Sequence, residues 1–420
     1  MFSTYIHKRI NIVMLVIIFC FILIISKVFY IQVIDYNKLN NLANGLWSRN
    51  LPIEADRGNI STSDGQIIAS NLTTVSVVFI PNQINEELKP TIAKNLAEIL
   101  NCDKKAIEEH LYKKSSIERV HPEGRRISYE QADKIERLGY EGVYLVKESK
   151  RVYPHDLLLC HVLGYVGIDN QGLSGLELQY DEYLTGAGGS IQYYSDAKGR
   201  KLAKNEDYVQ PTDGMNIELT VNYDIQTSIE RELDNAMTKY NADGAWAIAM
   251  NPNNGEILGM ASRPGFDPNN YQNYSTEEIN RNLAIWSSYE PGSTFKIITL
   301  ASSIEEKVVD LEKESFYDGG SVNVDGARIK CWKHWGHGQQ TFLEVVQNSC
   351  NPGFVELGRR LGTNTLFKYI DKFGFGEKTG IDLNGEGTGI LFPISKVGPV
   401  ELATTAFGQG VSVTAIHLVV

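Results

Sequence analysis

The 420-residue sequence predicts an α+β fold behind one N-terminal transmembrane helix. Three observations carry this expectation. An unbroken apolar run, Ile12 to Ile25, follows His7, Lys8 and Arg9. Two apolar stretches, Ala245 to Met250 and Glu256 to Ala261, flank Asn251-Pro252-Asn253-Asn254-Gly255, a strong antiparallel hairpin signal. Elsewhere apolar residues recur at helical spacing, as at Ile225, Ile229, Leu233 and Ala236. The length leaves room for two or three domains, and the net charge of −11 argues against nucleic acid as the main partner.

Taken in order, residues 1–9 read as a cytoplasmic tail and 10–34 as the anchor. Val28 to Ile34 prolongs the apolar run past Ser26-Lys27, and a lysine near one end of a span snorkels to the interface. Ser26 to Tyr30 offers no small-residue cleavage site, so the anchor is expected to stay uncleaved. Its basic end sets the N-terminus in the cytoplasm and the remainder outside the membrane. Leu39 to Leu46 reads as a short helical continuation and Leu51 to Ile60 as extended chain. Thr62 to Ala69 is a hairpin turning at Asp64-Gly65. Residues 84–145 alternate helices with polar loops and carry no catalytic constellation. Gly-rich strings follow at His161 to Gly167 and Gly172 to Glu177, then a strand over Asn216 to Val221 and the Ile225 helix. Residues 35–240 are therefore read as a non-catalytic domain and 241–420 as a catalytic one, mostly helical from Ser293 to about residue 375.

The chemistry centres on Glu290-Pro291-Gly292-Ser293-Thr294-Phe295-Lys296. A Pro-Gly turn delivers Ser293 into the first turn of an apolar helix, with Lys296 three residues on over the same face. A serine hydroxyl needs a base to become a nucleophile, and a desolvated neutral lysine is one. A helix N-terminus also favours the negative charge that develops there. Alone, S-x-x-K is weak, since serine and lysine are common. A second group lies further on. Thr341 to Glu344 is a capping box, and its helix runs into Ser349-Cys350-Asn351, after which Pro352 opens another helix. A Ser-x-Asn is thus presented on a tight loop between helices.

Five cysteines are spread without a C-x-x-C pair, which is no disulfide framework. Cys331, His334 and His337 with Cys350 supply enough ligands for a tetrahedral zinc site. The plainer reading of these residues is a loop bordering the serine, and no metal or cofactor is assigned. A Cys331–Cys350 disulfide is also chemically allowed in an exported protein and would tether the loop to the Ser-x-Asn box.

These strings resemble class B penicillin-binding proteins, from the anchor to the last residue. The resemblance rests on YEPGSTFKI, MNPNNGEILGMASRP, HVLGYVG, GLSGLE and SCNPGFVELG. Cys331-Trp332-Lys333-His334 and Gly336-His337-Gly338 are most similar to the sporulation-specific subgroup. The resemblance implies an elongated membrane-proximal dimerisation-type domain and a β-lactamase-like serine transpeptidase domain. It implies that Ser293 attacks the penultimate D-alanine carbonyl of a peptidoglycan stem peptide and that β-lactams acylate the same serine. Lys296 would activate Ser293, Ser349 relay protons, Asn351 orient substrate, and the Ser293 N–H form half of an oxyanion hole. Implied partners are a multi-spanning glycan polymerase and, if the cysteines are redox-active, a thioredoxin-like reductant. The outer forespore membrane is the implied location of a sporulation-specific member.

Lys378-Thr379-Gly380 imitates the family's third box, K-T-G on a strand lining the cleft. Framed by Gly374-Phe375-Gly376 and Asp382-Leu383-Asn384-Gly385, it reads as a loop instead. The strand with the true third box is expected beyond Val420, so the transpeptidase domain reads as incomplete. The 420-residue product is expected not to be labelled by a fluorescent penicillin, and a longer product is. The family's R-G-x-I-x-D-R-N-G pattern appears as Arg57-Gly58-Asn59-Ile60-Ser61-Thr62-Ser63-Asp64-Gly65, without its internal Asp-Arg. Alternatives are a division or elongation transpeptidase, a carboxypeptidase or β-lactamase, and a non-enzymatic scaffold for the polymerase.

Overall fold

The computed structural model describes residues 2–39, 48–115, 117–194 and 207–420. The chain forms two compact units. One comprises Met1–Ala55, Thr73–Ser149 and Ala187–Asp213, the other Asp56–Leu72, Lys150–Gly186 and Gly214–Val420.

In the first unit a helix runs Phe2–Phe29, and the 22-residue segment Val13–Ile34 is long and apolar enough to cross a membrane, with none of it buried. Most of the expected continuation to Leu46 lies outside the described residues. Strands Ser48–Ile53, Gly189–Tyr194 and Asp207–Val209 form an antiparallel sheet with Gly189–Tyr194 in the middle. Helices Lys89–Leu100, Lys104–Leu111 and Tyr129–Leu138 bury Ile92, Leu96, Ile107, Leu111 and Ile135 against Val77 and Phe79. Their ends follow local chemistry. Asp103 and Ser128 cap N-termini, the latter in a capping box with Gln131, while Asn101 and Gly139 close C-termini in the left-handed region.

The second unit is built on the expected hairpin. Ala245–Met250 pairs antiparallel with Ile257–Arg263, from Ala249↔Gly259 to Ala245↔Arg263. Helix Tyr223–Tyr240, capped by Asn222, lies on Ile257–Arg263. Gly259 permits that approach, because a Cβ there would stand 2.7 Å from the Ile229 side chain. Gln226 fastens the two together by accepting from the Met260 N–H and donating to the Met260 carbonyl. The strand read over Asn216 to Val221 shrinks to Ile217–Glu218, parallel to Ile60–Ser61. Beyond it Thr220 and Asn222 bond to the Ile257 and Leu258 carbonyls, which turns the chain into the helix cap. The Asp64-Gly65 hairpin forms as expected, Ile60 opposite Ala69.

Helices Lys296–Glu305, Asn351–Leu361, Thr363–Lys372 and Pro399–Thr405 pack around Phe295, Ile298, Leu357, Leu366, Leu402 and Ala406. The expectation of a mostly helical region here is corrected by four strands in two ribbons. Ser315–Asp318 pairs with Gly338–Thr341, and Ser321–Val324 with Ala327–Lys330. The second ribbon turns at Asp325-Gly326, both at positive φ (45° and 84°), which is the geometry of a two-residue hairpin loop.

A buried ionic network also holds this unit. Arg57 donates to the Glu177 carboxylate (2.7 Å), to Asp181 (2.7 Å) and to the Glu177 carbonyl (2.8 Å). Arg151 takes the other Glu177 oxygen at 2.7 Å and reaches the Gly58 carbonyl. Arg57 therefore finds acidic partners without the Asp-Arg pair that the sequence lacks.

Candidate active site

Ser293 lies in a 3₁₀ turn, Gly292–Phe295, immediately before helix Lys296–Glu305. The expectation was the first turn of the α-helix itself. In a 3₁₀ turn residues three apart eclipse, so the tighter turn still sets Ser293 and Lys296 on one side. The turn is held from behind by residues 408–414. The Gly292 N–H donates to the Gly408 carbonyl (2.9 Å), the Gly410 N–H to the Glu290 carboxylate (2.8 Å), and Ser288-Tyr289 pairs with Val413-Thr414. Gly408 has φ +80°, and a Cβ there would stand 2.1 Å from the Gly292 carbonyl oxygen.

Opposite lies the loop between helices Phe342–Gln347 and Asn351–Leu361, opened by the Thr341–Glu344 capping box as read from sequence. Ser349 stands in the left-handed region at φ 48°, a conformation that costs free energy outside glycine and is concentrated at functional turns. This bend aims its hydroxyl at Ser293, Oγ to Oγ 3.1 Å. Lys296 Nζ donates to Ser349 Oγ (3.0 Å), to the Ser349 carbonyl (2.8 Å) and to Asn351 Oδ1 (2.7 Å). Among the described residues no hydrogen bond joins Lys296 to Ser293, and Ser349 bridges the two. Burial lowers the Lys296 ammonium from its ordinary value to about 8, while Cys350 and Cys331 work weakly in the other direction. Asn351 uses both ends of its amide, since Nδ2 donates to the Lys330 carbonyl at 3.2 Å. The four residues selected from sequence thus come together from a 3₁₀ turn, a loop and two helices.

Lys378-Thr379-Gly380 is loop, as expected, with Thr379 bonded to the Glu386 carboxylate. It makes no hydrogen bond to Ser293, Lys296, Ser349 or Asn351 among the described residues.

The ligand group weighed and set aside in the sequence comes together with one member exchanged. His334 is exposed, and its place is taken by Asp318, which joins Cys331, His337 and Cys350 with donor atoms all within 4.8 Å of one another. Bonds of about 2.3 Å to sulfur and about 2.0 Å to nitrogen or oxygen give a tetrahedron with edges from sulfur of about 3.5 Å. Cys331 Sγ to His337 Nδ1 is 3.6 Å and Cys350 Sγ to Asp318 Oδ2 is 3.4 Å. The set can therefore hold a metal ion. His337 Nδ1 and Asp318 Oδ2, at 2.8 Å, stand instead at hydrogen-bond distance. Burial raises the Asp318 pKa, but bonds from His337 and the Gly320 N–H outweigh it and hold the carboxyl below its usual value. Burial pushes the Cys350 thiol up to about 12, and both cysteines are free thiols.

Sequence reasoning missed Asp318, the Lys330 carbonyl and the Trp332 indole, which donates to the Asn348 carbonyl at 2.9 Å. Asp318-Gly319-Gly320 is a turn signal that marks the ribbon, though not its partner cysteines.

Two family models match the chain. A model of the penicillin-binding protein transpeptidase domain matches residues 245–420, and one of the penicillin-binding protein dimerisation domain matches 52–219. The chain is 55% identical over 415 residues to stage V sporulation protein D of Bacillus subtilis (strain 168), covering 99% of this chain and 64% of that protein. The chain belongs to the class B penicillin-binding proteins. Peptidoglycan D,D-transpeptidase FtsI of Escherichia coli (strain K12) is a more distant relative, 27% identical over 404 residues, 94% of this chain and 66% of that one. The chain thus spans about two thirds of the length of these penicillin-binding proteins. Solved structures agree on the fold. Penicillin-binding protein 2X of Streptococcus thermophilus superposes with a TM-score of 0.69 at 24% identity, covering 88% of this chain and 58% of that one. The PBP2 of Helicobacter pylori, solved in complex with MreC, gives 0.72 at 22%, covering 88% and 76%.

Proposed function

We propose that this penicillin-binding protein is a membrane-anchored D,D-transpeptidase that cross-links peptidoglycan stem peptides through an acyl-enzyme on Ser293. The observation that carries the reading is the chain of contacts Ser293 Oγ–Ser349 Oγ–Lys296 Nζ. With Lys296 neutral, its lone pair takes the Ser349 proton while Ser349 takes that of Ser293. The freed oxygen attacks the penultimate D-alanine carbonyl, the Ser293 N–H facing the developing oxyanion. The proton returns by the same route to the departing D-alanine nitrogen as the C–N bond breaks. An amine of a neighbouring stem then attacks the ester, releases Ser293 and forms the cross-link. The Asn351 amide, anchored on the Lys330 carbonyl, is placed to orient the donor peptide. β-Lactams enter at the first step.

The finer assignments rest on family likeness. They are spore cortex as the product, a multi-spanning glycan polymerase as partner, the outer forespore membrane as location, and an extracytoplasmic catalytic domain behind residues 10–34. Oxidation of Cys331 and Cys350 to a disulfide would shift the loop carrying Ser349, and a membrane-tethered thioredoxin-like reductant would reverse it. Thiol titration with and without reductant, alongside penicillin binding, tests this, and equal binding in both states removes the switch.

Labelling of the full-length gene product with a fluorescent penicillin tests the main reading. The label is expected on the peptide containing Ser293 and to vanish in Ser293→Ala. A label elsewhere, or none, overturns the acyl-enzyme assignment.

A further inference from the structure

We propose that the turn Trp332–Trp335 is a carbohydrate platform beside the nucleophile, on which Trp335 stacks against a sugar ring of the glycan that bears the stem peptide. The proposal deepens the acyl-transfer reading and rests on it for the identity of the substrate.

Trp335 is 92% exposed and Trp332 64% exposed. These are two indoles three residues apart, left in water on one turn and not one scattered aromatic, and such a pair is suited to be a contact surface. The exposure does not come from a loose loop, because both ends are pinned. The Cys331 N–H donates to the Gly320 carbonyl (2.9 Å), the Gly336 N–H to the Lys333 carbonyl (2.9 Å), and the His337 N–H to Asp318 (3.1 Å). Gly336 itself is buried at φ +74°, and a Cβ there would lie 2.1 Å from the Asp318 carbonyl oxygen. The backbone is fixed while the side chains between are held out.

The position is tied to the site by bonds. The Trp332 indole N–H donates to the carbonyl of Asn348, the residue before Ser349, whose hydroxyl is 3.1 Å from that of Ser293. Trp335 follows three residues later in the same pinned turn.

The surroundings favour a sugar over a protein. Residues 327–340 contain Arg328, Lys330 and Lys333 and no acidic residue, in a chain of net charge −11. The residues just before this indole, Lys333 and His334, are exposed and polar, and no large apolar patch is needed to hold a sugar ring against one aromatic face. An aromatic face for sugar C–H groups, next to cations for stem-peptide carboxylates, fits an amino-sugar polymer carrying acidic peptides.

The test uses the whole protein in detergent with chitotetraose, the β-1,4 tetramer of N-acetylglucosamine, followed by saturation-transfer NMR. Wild type is expected to bind. Trp335→Ala is expected to weaken binding about 3- to 10-fold, the range for one aromatic stacking contact, and Trp335→Phe to keep most of it. The melting temperature should not move, because Trp335 is exposed. Absence of binding by wild type, or equal binding by Trp335→Ala, overturns the proposal. So does equal tetraose binding combined with loss of a co-purifying membrane protein, which would make the turn a protein contact. Penicillin labelling of the same samples separates the two readings. Unlabelled Ser293 with intact Trp335-dependent binding removes the transpeptidase reading alone, and labelled Ser293 without a Trp335 effect removes the platform alone.

Discussion

Lys296 pays for its place in the site with stability. At an ordinary lysine pKa only about 0.03% of the side chain is neutral at pH 7, whereas at about 8 roughly a tenth is. On the proposed mechanism, burial thereby supplies the base that the serine pair needs. The acylation rate is expected to rise with pH along a limb centred near 8 and to level off above it, which stopped-flow acylation by a β-lactam measures. Lys296→Arg, permanently charged, should flatten that limb and lower the rate by about 10²–10⁴-fold. The linkage has a definite sign. The folded pKa lies below the unfolded value, so the unfolded chain binds more protons between about pH 8 and 10.5, and stability rises with pH across that window. Below it the cost is present in full. Lys296→Met should therefore be more stable than wild type at pH 7, by on the order of 1 kcal/mol, while losing acylation. Denaturant melts at pH 7 and pH 10 check this, and the difference should shrink at the higher pH.

At the scale of elements, the serine turn depends on segments that the motif does not contain. Gly408 sits at φ +80° with Gly292 against it, so Gly408→Ala faces both backbone strain and a clash with a carbonyl. It should cost about 1–3 kcal/mol and slow acylation with no chemical group removed, seen by paired thermal melts and labelling rates. The sequence made the Ala245–Ala261 hairpin and the Thr341 cap legible, because each is written in adjacent residues, whereas the Asn222 cap emerged only in the structure. It did the same for the Ser293–Lys296 and Ser349–Asn351 spacings. The two ribbons over 315–341 were legible only in part. Asp325-Gly326 marks one turn, but the pairing of Ser315–Asp318 with Gly338–Thr341 is a register between distant segments. That register carries Asp318 to His337 and the cysteines, so the cluster could be read correctly at three positions and not at the fourth.

At the scale of the molecule, the question is whether the fold serves chemistry or assembly, and two substitutions separate them. Glu177 is fully buried and holds Arg57 from 120 residues away and Arg151 from 26. No local pattern could reveal that pairing, because it depends on the packing of three chain segments. Removing one member of a buried ionic group leaves the others uncompensated, so Glu177→Ala should cost about 3–5 kcal/mol and lower the amount of folded protein. Ser293→Ala removes only a hydroxyl from an exposed residue, so anchor, network and helices should survive with an unchanged melting temperature. In sporulating cells the two variants then diverge according to what the protein does. A transpeptidase gives cross-link-deficient cortex with either variant, although Ser293→Ala accumulates to wild-type levels in the membrane. A scaffold gives normal cortex with Ser293→Ala and a defect only with Glu177→Ala, because assembly needs the folded body and no acyl-enzyme. Muropeptide analysis of cortex beside immunoblots of the two variants decides it, and normal cross-linking in Ser293→Ala would remove the catalytic role.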